Sequence, residues 1–249
     1  MSYKNNIYTG TSNIVLPVSN KQHFPPDYQT KSRLCYYASL FNSLEVNSTF
    51  YKVPKPSTIQ KWAADVPDDF KFTFKLWRQI THNKELAFNF SDLERFIHTI
   101  NSIGDKKGCL LIQFPPSLQV NTKQLNLLLL AIIAVDNARE WRVAIEFRNC
   151  TWYREDIYKL LENYQMAMVI HDMPTSATPF IESGVPFVFL RFHGPNGGYR
   201  GSYTDDVLAE YASYINEWQE AGKNIYAYFN NTMGNAFQNV ITLDQFIAI

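Results

Sequence analysis

The sequence has no surplus of charge of either sign: 23 lysines and arginines stand against 23 aspartates and glutamates in 249 residues. Without a net basic field the chain lacks the sequence-independent attraction on which nucleic-acid binders rely, so nucleic acid is a lesser expectation, confined to a local basic pocket. Cysteine is scarce too. Cys35, Cys109 and Cys150 are odd in number and far apart, with neither CxxC nor CxnH spacing, and they read as reduced thiols, not as a disulfide framework or a metal site. Ten glycines and twelve prolines are too few for a fibrous or linker-like chain, and a 46% hydrophobic content excludes low-complexity disorder. Long apolar runs are missing as well. The longest, Leu127 to Val135, falls short of the roughly 20 residues that cross a bilayer, and the first residues contain no apolar signal core. The expectation is a cytoplasmic protein with no membrane partner; the sequence is silent on its oligomeric state.

What is present is an alternation of strand-like and helix-like segments. Strands are expected at Ile7 to Ser12, Ser43 to Thr49, Phe70 to Trp77, Gly108 to Phe114, Arg142 to Phe147, Met166 to Asp172, Phe187 to His193 and Asn224 to Asn230. Helices are expected at Ser32 to Phe41, from Pro56 to Asp65, from Ser91 to about Ile103, at Thr122 to Val135, Tyr153 to Tyr164, Asp205 to Ala221 and about Asn235 to Ile247. Ser91 with Glu94 reads as a capping box. The stretch from Met173 to Pro186 contains Pro174, Pro179 and Pro186 and is expected to be irregular. Eight strands separated by helices in a chain of this length imply an α/β protein with a single eight-stranded parallel (β/α)8 TIM-type barrel, one domain over residues 1–249. A doubly wound open sheet is the alternative, but YTGTSN after the first strand is not the GxGxxG phosphate turn.

In such a barrel the functional site lies at the carboxyl ends of the strands. Polar residues gather there: Ser12 and Asn13, Glu45 and Asn47, Lys75, Gln113, Glu146 and Arg148, His171 and Asp172, Arg191 and His193, Asn230 and Asn231. Glu45/Asn47, Glu146/Arg148 and Arg191/His193 are each two apart, which puts both members of a pair on one strand face. Charged side chains on otherwise apolar strands need partners, most economically one another. The result is a ligand site or, alternatively, a structural ion-pair network.

The stretches FNSLEVNSTFYKVP (41–54), FTFKLWRQITHN (72–83), LLIQFPPS (110–117), AIEFRNCTWY (144–153), VIHDMP (169–174), LRFHGPNGGYRGSY (190–203) and YFNNTMGNA (228–236) resemble the DUF72 family, also called YecE-like proteins. The resemblance covers nearly the whole chain and implies a TIM-barrel fold with its site at the strand ends. It implies no reaction. At the first strand GTSNIVLPVSNKQHFPP replaces the aromatic-rich segment usual in that family.

The expected catalytic residues are Glu45, Lys75, Glu146, Asp172 and His193, and the expected substrate-binding residues are Asn47, Tyr51, His82, Gln113, Arg148, Arg191, Tyr199, Asn230 and Asn231. Two arginines can grip phosphate or carboxylate through paired hydrogen bonds, with Lys75 as a point charge. The expected ligand is therefore a small anionic molecule, phosphorylated or nucleotide-like, turned over by acid and base chemistry. Glu146 beside two arginines is expected to stay ionised, and His193 is the natural titrating group. Tyr51 and Tyr199 could stack on a ring. No cofactor is expected; Glu45, Glu146, Asp172 and His193 could hold a divalent metal, but Lys75, Arg148 and Arg191 would repel it. A desolvated Lys75 could form a Schiff base, although the acidic neighbours favour an ion-pair role. Glu45 with Glu146 could also act as a glycosidase pair. A non-catalytic binder of a metabolite or a nucleic-acid end is the alternative function.

Overall fold

The computed structural model describes residues 6–181 and 183–247. Its elements run β1 (Ile7–Thr11), α1 (Arg33–Ala38), β2 (Ser43–Val46), α2 (Ser48–Tyr51), α3 (Pro56–Ala64), β3 (Lys71–Lys75), α4 (Arg78–Thr81), α5 (Phe90–Ile100), β4 (Lys107–Gln113), α6 (Thr122–Val135) and β5 (Arg142–Glu146). They continue α7 (Glu155–Asn163), β6 (Ala167–Met168), β7 (Ile170–His171), β8 (Phe187–Phe192), α8 (Asp205–Glu220), β9 (Asn224–Phe229) and α9 (Ala236–Ile247).

Every strand pairing is parallel. In place of one continuous eight-stranded ring, the hydrogen bonds draw two sheets, ordered β1-β9-β8-β7 and β2-β3-β4-β5-β6. The reason is local at both seams. The expected sixth strand is split into β6 and β7 at Val169, whose amide donates to Ile145 O at 2.8 Å. Between β1 and β2 the pairing shrinks to a single bridge, Ser12 with Glu45, next to an Asn13 N–H to Glu45 O bond of 2.8 Å. Between β7 and β8 no helix forms among the described residues, as three prolines predict.

Alternation along the strands sorts side chains into two cores. Leu44, Val46, Phe72, Phe74, Leu110, Ile112, Val143, Ile145, Leu190 and Phe192 join the helices in the larger one. Cys109, Leu111, Ala144, Ala167, Val169, Phe187, Phe189, Tyr226 and Tyr228 form a second core between the two sheets. Two residues on from Ala144 is Glu146, and two on from Phe189 is Arg191, so the face enclosed by the sheets becomes polar at the strands' carboxyl ends.

Helix boundaries follow side-chain caps. Asn121 accepts from the Gln124 amide at 3.1 Å and opens α6. The expected capping box at Ser91 gives way to Asn89, which accepts from Ser91 N at 2.8 Å, so α5 begins at Phe90. β2 stops at Val46 instead of Thr49 because Asn47 turns to helical backbone at φ −79°, ψ −18° and leads straight into α2. Among the described residues no helix is long and apolar enough to cross a membrane.

Candidate functional site

Arg191 extends from the end of β8 across the space between the sheets. Its Nε and Nη2 donate to Glu45 Oε2 and Oε1 at 2.8 and 2.7 Å, and its Nη1 donates to Glu146 Oε2 at 2.5 Å. One guanidinium thus braces β2, in one sheet, to β8, in the other, and β5 besides. Ser12 Oγ adds a 2.6 Å bond to Glu45 Oε1 beside the bridge that joins β1 to β2. Glu45 and Glu146 have no exposed surface, a state that carboxylates tolerate only with matched partners. Burial opposes the Glu146 charge, but Arg148, Arg191 and His193 outweigh it and hold the carboxyl well below its ordinary range, as expected. Burial likewise lowers Arg191, yet Glu146 and Glu45 raise it above the usual guanidinium value.

Arg148 Nε donates to Glu146 Oε1, and its Nη2 lies 2.7 Å from His193 Nε2, with Arg191 Nη1 3.2 Å from the same nitrogen. Arginine only donates, so His193 Nε2 must accept and the ring proton sits on Nδ1. Burial first, offset by Asp172 and Glu146 and reinforced by the two arginines, lowers His193 to about 4, so the ring is neutral at pH 7. Asp172 Oδ1 accepts from the His193 amide at 2.7 Å; it also stands 3.4 Å from Nδ1, off the line of a hydrogen bond. Asp172 Oδ2 accepts from the Tyr203 hydroxyl, which itself accepts from Gly194 N at 2.6 Å.

Lys75 is placed differently from its expected ion-pair role. Among the described residues no carboxylate lies within ion-pair distance of it. Its Nζ donates to Gln113 Oε1 at 2.7 Å and sits 4.4 Å from the centre of the Phe50 ring. Burial, then Arg191, pulls it down to about 7 against the opposing effect of Glu146 and Glu45. His82 packs edge-on against the same Phe50 ring at 4.8 Å and bonds Thr81 through Nδ1. Burial, Lys75 and Arg78 lower it to about 4.

The structure therefore brings together Glu45, Glu146, Arg148, Arg191, His193 and Asp172, with Lys75, Gln113 and His82 along one edge. The other expected residues stand apart. Tyr51 is 68% exposed and packs on Phe50, while the Tyr199 ring approaches His193 at 5.8 Å from a loop residue with φ +63°. The Asn231 carboxamide donates to Gly201 O at 2.9 Å and Asn239 Oδ1 at 3.0 Å, clipping the glycine-rich loop to α9. Asn230 contributes a backbone bond to Phe192 O at 2.7 Å. Asn47 has helical backbone and does not extend the Glu45 face; its Oδ1 is buried with no hydrogen-bond partner among the described residues. Ser12, Phe50 and Tyr203 belong to the assembly although none of them was among the expected catalytic or binding residues; Tyr203, weighed as a loop aromatic for stacking, instead donates to Asp172. Ser12 carried a signal, as the last polar residue of the first strand; Phe50 and Tyr203 sit in connections whose path no periodicity reveals.

Among the described residues no group of three or more His, Cys, Asp and Glu side chains gathers as metal ligands. Glu45 and Glu146 are instead committed to arginines. Two cavities, of about 680 and 420 Å3, lie elsewhere: one between α7 and α8, the other by Trp141, Arg142 and Pro186 at the strands' amino ends. Neither cavity is lined by the residues of the polar centre.

A family model described as "Protein of unknown function DUF72" matches residues 8–249. The UPF0759 protein YunF of Bacillus subtilis (strain 168) is 23% identical over 241 residues, covering 85% of this chain and 84% of that one. The crystal structure of a DUF72 family protein from Enterococcus faecalis V583 superposes with a TM-score of 0.78 at 21% identity, covering 98% of this chain and 96% of that one. A second, from Thermotoga maritima MSB8, gives a TM-score of 0.75 at 23% identity, covering 98% and 99%. Similarity at this level of identity establishes a shared fold and carries no substrate.

Proposed function

Since this chain belongs to the DUF72 family, whose description assigns no reaction, its activity has to be read from its own side chains, and we propose that it is an enzyme. Its substrate is a small anionic molecule, phosphorylated or nucleotide-like, turned over by acid and base chemistry at the carboxyl ends of the strands. We take the two sheets as parts of one closed (β/α)8 barrel within a single domain, because β6 and β7 follow one another on one strand position and the Ser12–Glu45 bridge spans the other seam.

One observation carries the reading. Glu45 and Glu146 are matched by Arg191 and Arg148, which leaves the Lys75 amine as a cationic group without a counter-ion. A buried positive charge with no carboxylate partner favours an incoming anion, and an amine that titrates near neutral pH can take or give a proton there. Lys75 is then the proton-transfer group and Gln113 orients it. Arg148 offers Nη1, which has no hydrogen-bond partner among the described residues, and His82 packs on the Phe50 ring that Lys75 also faces. Glu45, Glu146, Asp172 and His193 are positioning residues that fix the two arginines.

Thermal shifts against inorganic phosphate, sugar phosphates, nucleotides and short carboxylates test this. A ligand at about 100 times its Kd adds roughly 2.7 kcal/mol and raises Tm by about 5 to 10 °C in a domain of this size. The expected result is such a shift, abolished in Arg148→Met, with NMR-detected consumption of the ligand by the wild type but not by Lys75→Met. The exposed rings of Tyr51 and Tyr199 favour a second reading, a non-catalytic binder of a metabolite or nucleic-acid end. A shift with a ligand that stays chemically unchanged on long incubation selects that reading.

A further inference from the structure

Lys75 is 9% exposed and is the one buried lysine among the described residues. A lysine taken from water is ordinarily held as an ammonium ion by a carboxylate. Here both nearby carboxylates are occupied: Glu45 accepts from Arg191 and Ser12, and Glu146 from Arg191 and Arg148. What remains for Lys75 is the neutral Gln113 Oε1, which takes one N–H, and the face of Phe50. The groups acting on the amine are Glu45 on β2, Glu146 and Arg148 at the end of β5 and Arg191 on β8, together with His82 and Arg78 about Phe50. The Phe50 face attracts an ammonium ion, but no counter-ion completes its surroundings, so burial leaves room for the uncharged amine as well.

We propose that Lys75 is a nucleophile that forms an imine with the carbonyl carbon of a small aldehyde or ketone carrying an anionic group, the anion lying against Arg148. The anionic part of this proposal rests on the reading of the site given above; the imine rests on the surroundings of Lys75. The Nζ lone pair attacks the carbonyl carbon and a C–N bond forms. The carbonyl C–O bond then breaks, and its oxygen leaves as water with both amine hydrogens, so no oxidant or reductant is required. Lowered to about 7, the amine is uncharged at neutral pH far more often than an ordinary lysine with a pKa of about 10.4.

The test uses the whole wild-type protein at pH 7 with glyoxylate, an aldehyde bearing a carboxylate, and with glycolaldehyde, which is uncharged. Cyanoborohydride fixes any imine as a stable secondary amine, and peptide mass spectrometry compares Lys75 with the exposed Lys52 and Lys55 in the same sample. With glyoxylate, at least tenfold more adduct is expected at Lys75 than at either reference, falling as the pH is lowered below about 7. Arg148→Met, which also acts on the amine itself, should lower the glyoxylate yield at Lys75 at least fivefold more than it lowers the glycolaldehyde yield. Labelling of Lys75 no greater than that of Lys52 and Lys55 overturns the proposal. If glyoxylate raises Tm and Lys75 stays unlabelled, the imine is overturned and the anion site stands. If Lys75 is labelled equally by both aldehydes, the nucleophile stands and the anion site is overturned. The internal lysine references make every arm readable without a Lys75 variant that folds.

Discussion

Arg191 satisfies two buried carboxylates at once, so Arg191→Met leaves Glu45 without its bidentate partner and Glu146 with Arg148 alone. Breaking a buried pair from one side costs about 3 to 5 kcal/mol, and urea denaturation of this variant should show a loss of that size. His193 sets a pH dependence of definite sign. Its folded value is about 4 and its unfolded value about 6.5. Between these the unfolded chain takes up a proton that the folded ring refuses, so stability falls as pH drops through that window, by on the order of 3 kcal/mol. Above about 6.5 both states are neutral and the contribution vanishes. His193→Gln should therefore make the stability profile shallower between roughly pH 4 and 6.5, with the slope due to His82 remaining, measured by denaturation at fixed pH. At this scale the sequence was informative about residue types and faces: Glu45, Glu146, Arg148, Arg191 and His193 do converge, because two-residue spacing fixes the face. Pairing was less legible. That Lys75 would be left out depends on which carboxylate each guanidinium reaches, and that is decided across strands far apart in the chain.

The seam between β1 and β2 depends on the absence of a side chain. A Cβ on Gly10 would lie 2.1 Å from Ser43 O and 2.7 Å from the Tyr37 hydroxyl, which donates to Ser43 O and accepts from Thr11 N. Backbone cannot yield that far, so Gly10→Ala should destabilise by at least about 2 kcal/mol and weaken the Ser12–Glu45 bridge beside it. Ser12→Ala, which removes only the hydroxyl bond to a charged group, should cost about 1.5 to 3 kcal/mol in the same denaturation assay. Element types were legible because strand alternation and helix periodicity are strong signals. Ends were not: Asn89 and Ser91 both fit a helix start, and the choice fell to the side chain that reaches an amide two residues on. The split of the sixth strand left no trace in MAMVIHD, whose first five residues are an unbroken apolar run in which Val169 bonds back to β5.

Across the molecule, stability follows the pairing. β8 and β9 share six paired positions, whereas β5 and β6 share two and β7 and β8 two. Native-state hydrogen exchange should find the Ala167–His171 amides opening more readily than those of Phe187–Phe192, in keeping with the shorter ladders and the irregular chain beyond them. The groove of about 680 Å3 between α7 and α8 marks where a helix would stand in a regular barrel, and the prolines that forbid the helix were plain in the sequence. That the strands would be drawn as two sheets was not, because the seams turn on one bridge and one residue. The Arg191 brace has a further consequence for substitution. Ser12, Glu45, Glu146, Arg148 and Arg191 come from four separate stretches of chain, yet each satisfies a charge that another carries. Loss of any of the four charged side chains leaves an oppositely charged neighbour short of a partner inside the protein, so those positions are coupled. Within this molecule, an exchange is tolerated best where both partners of a pair change together.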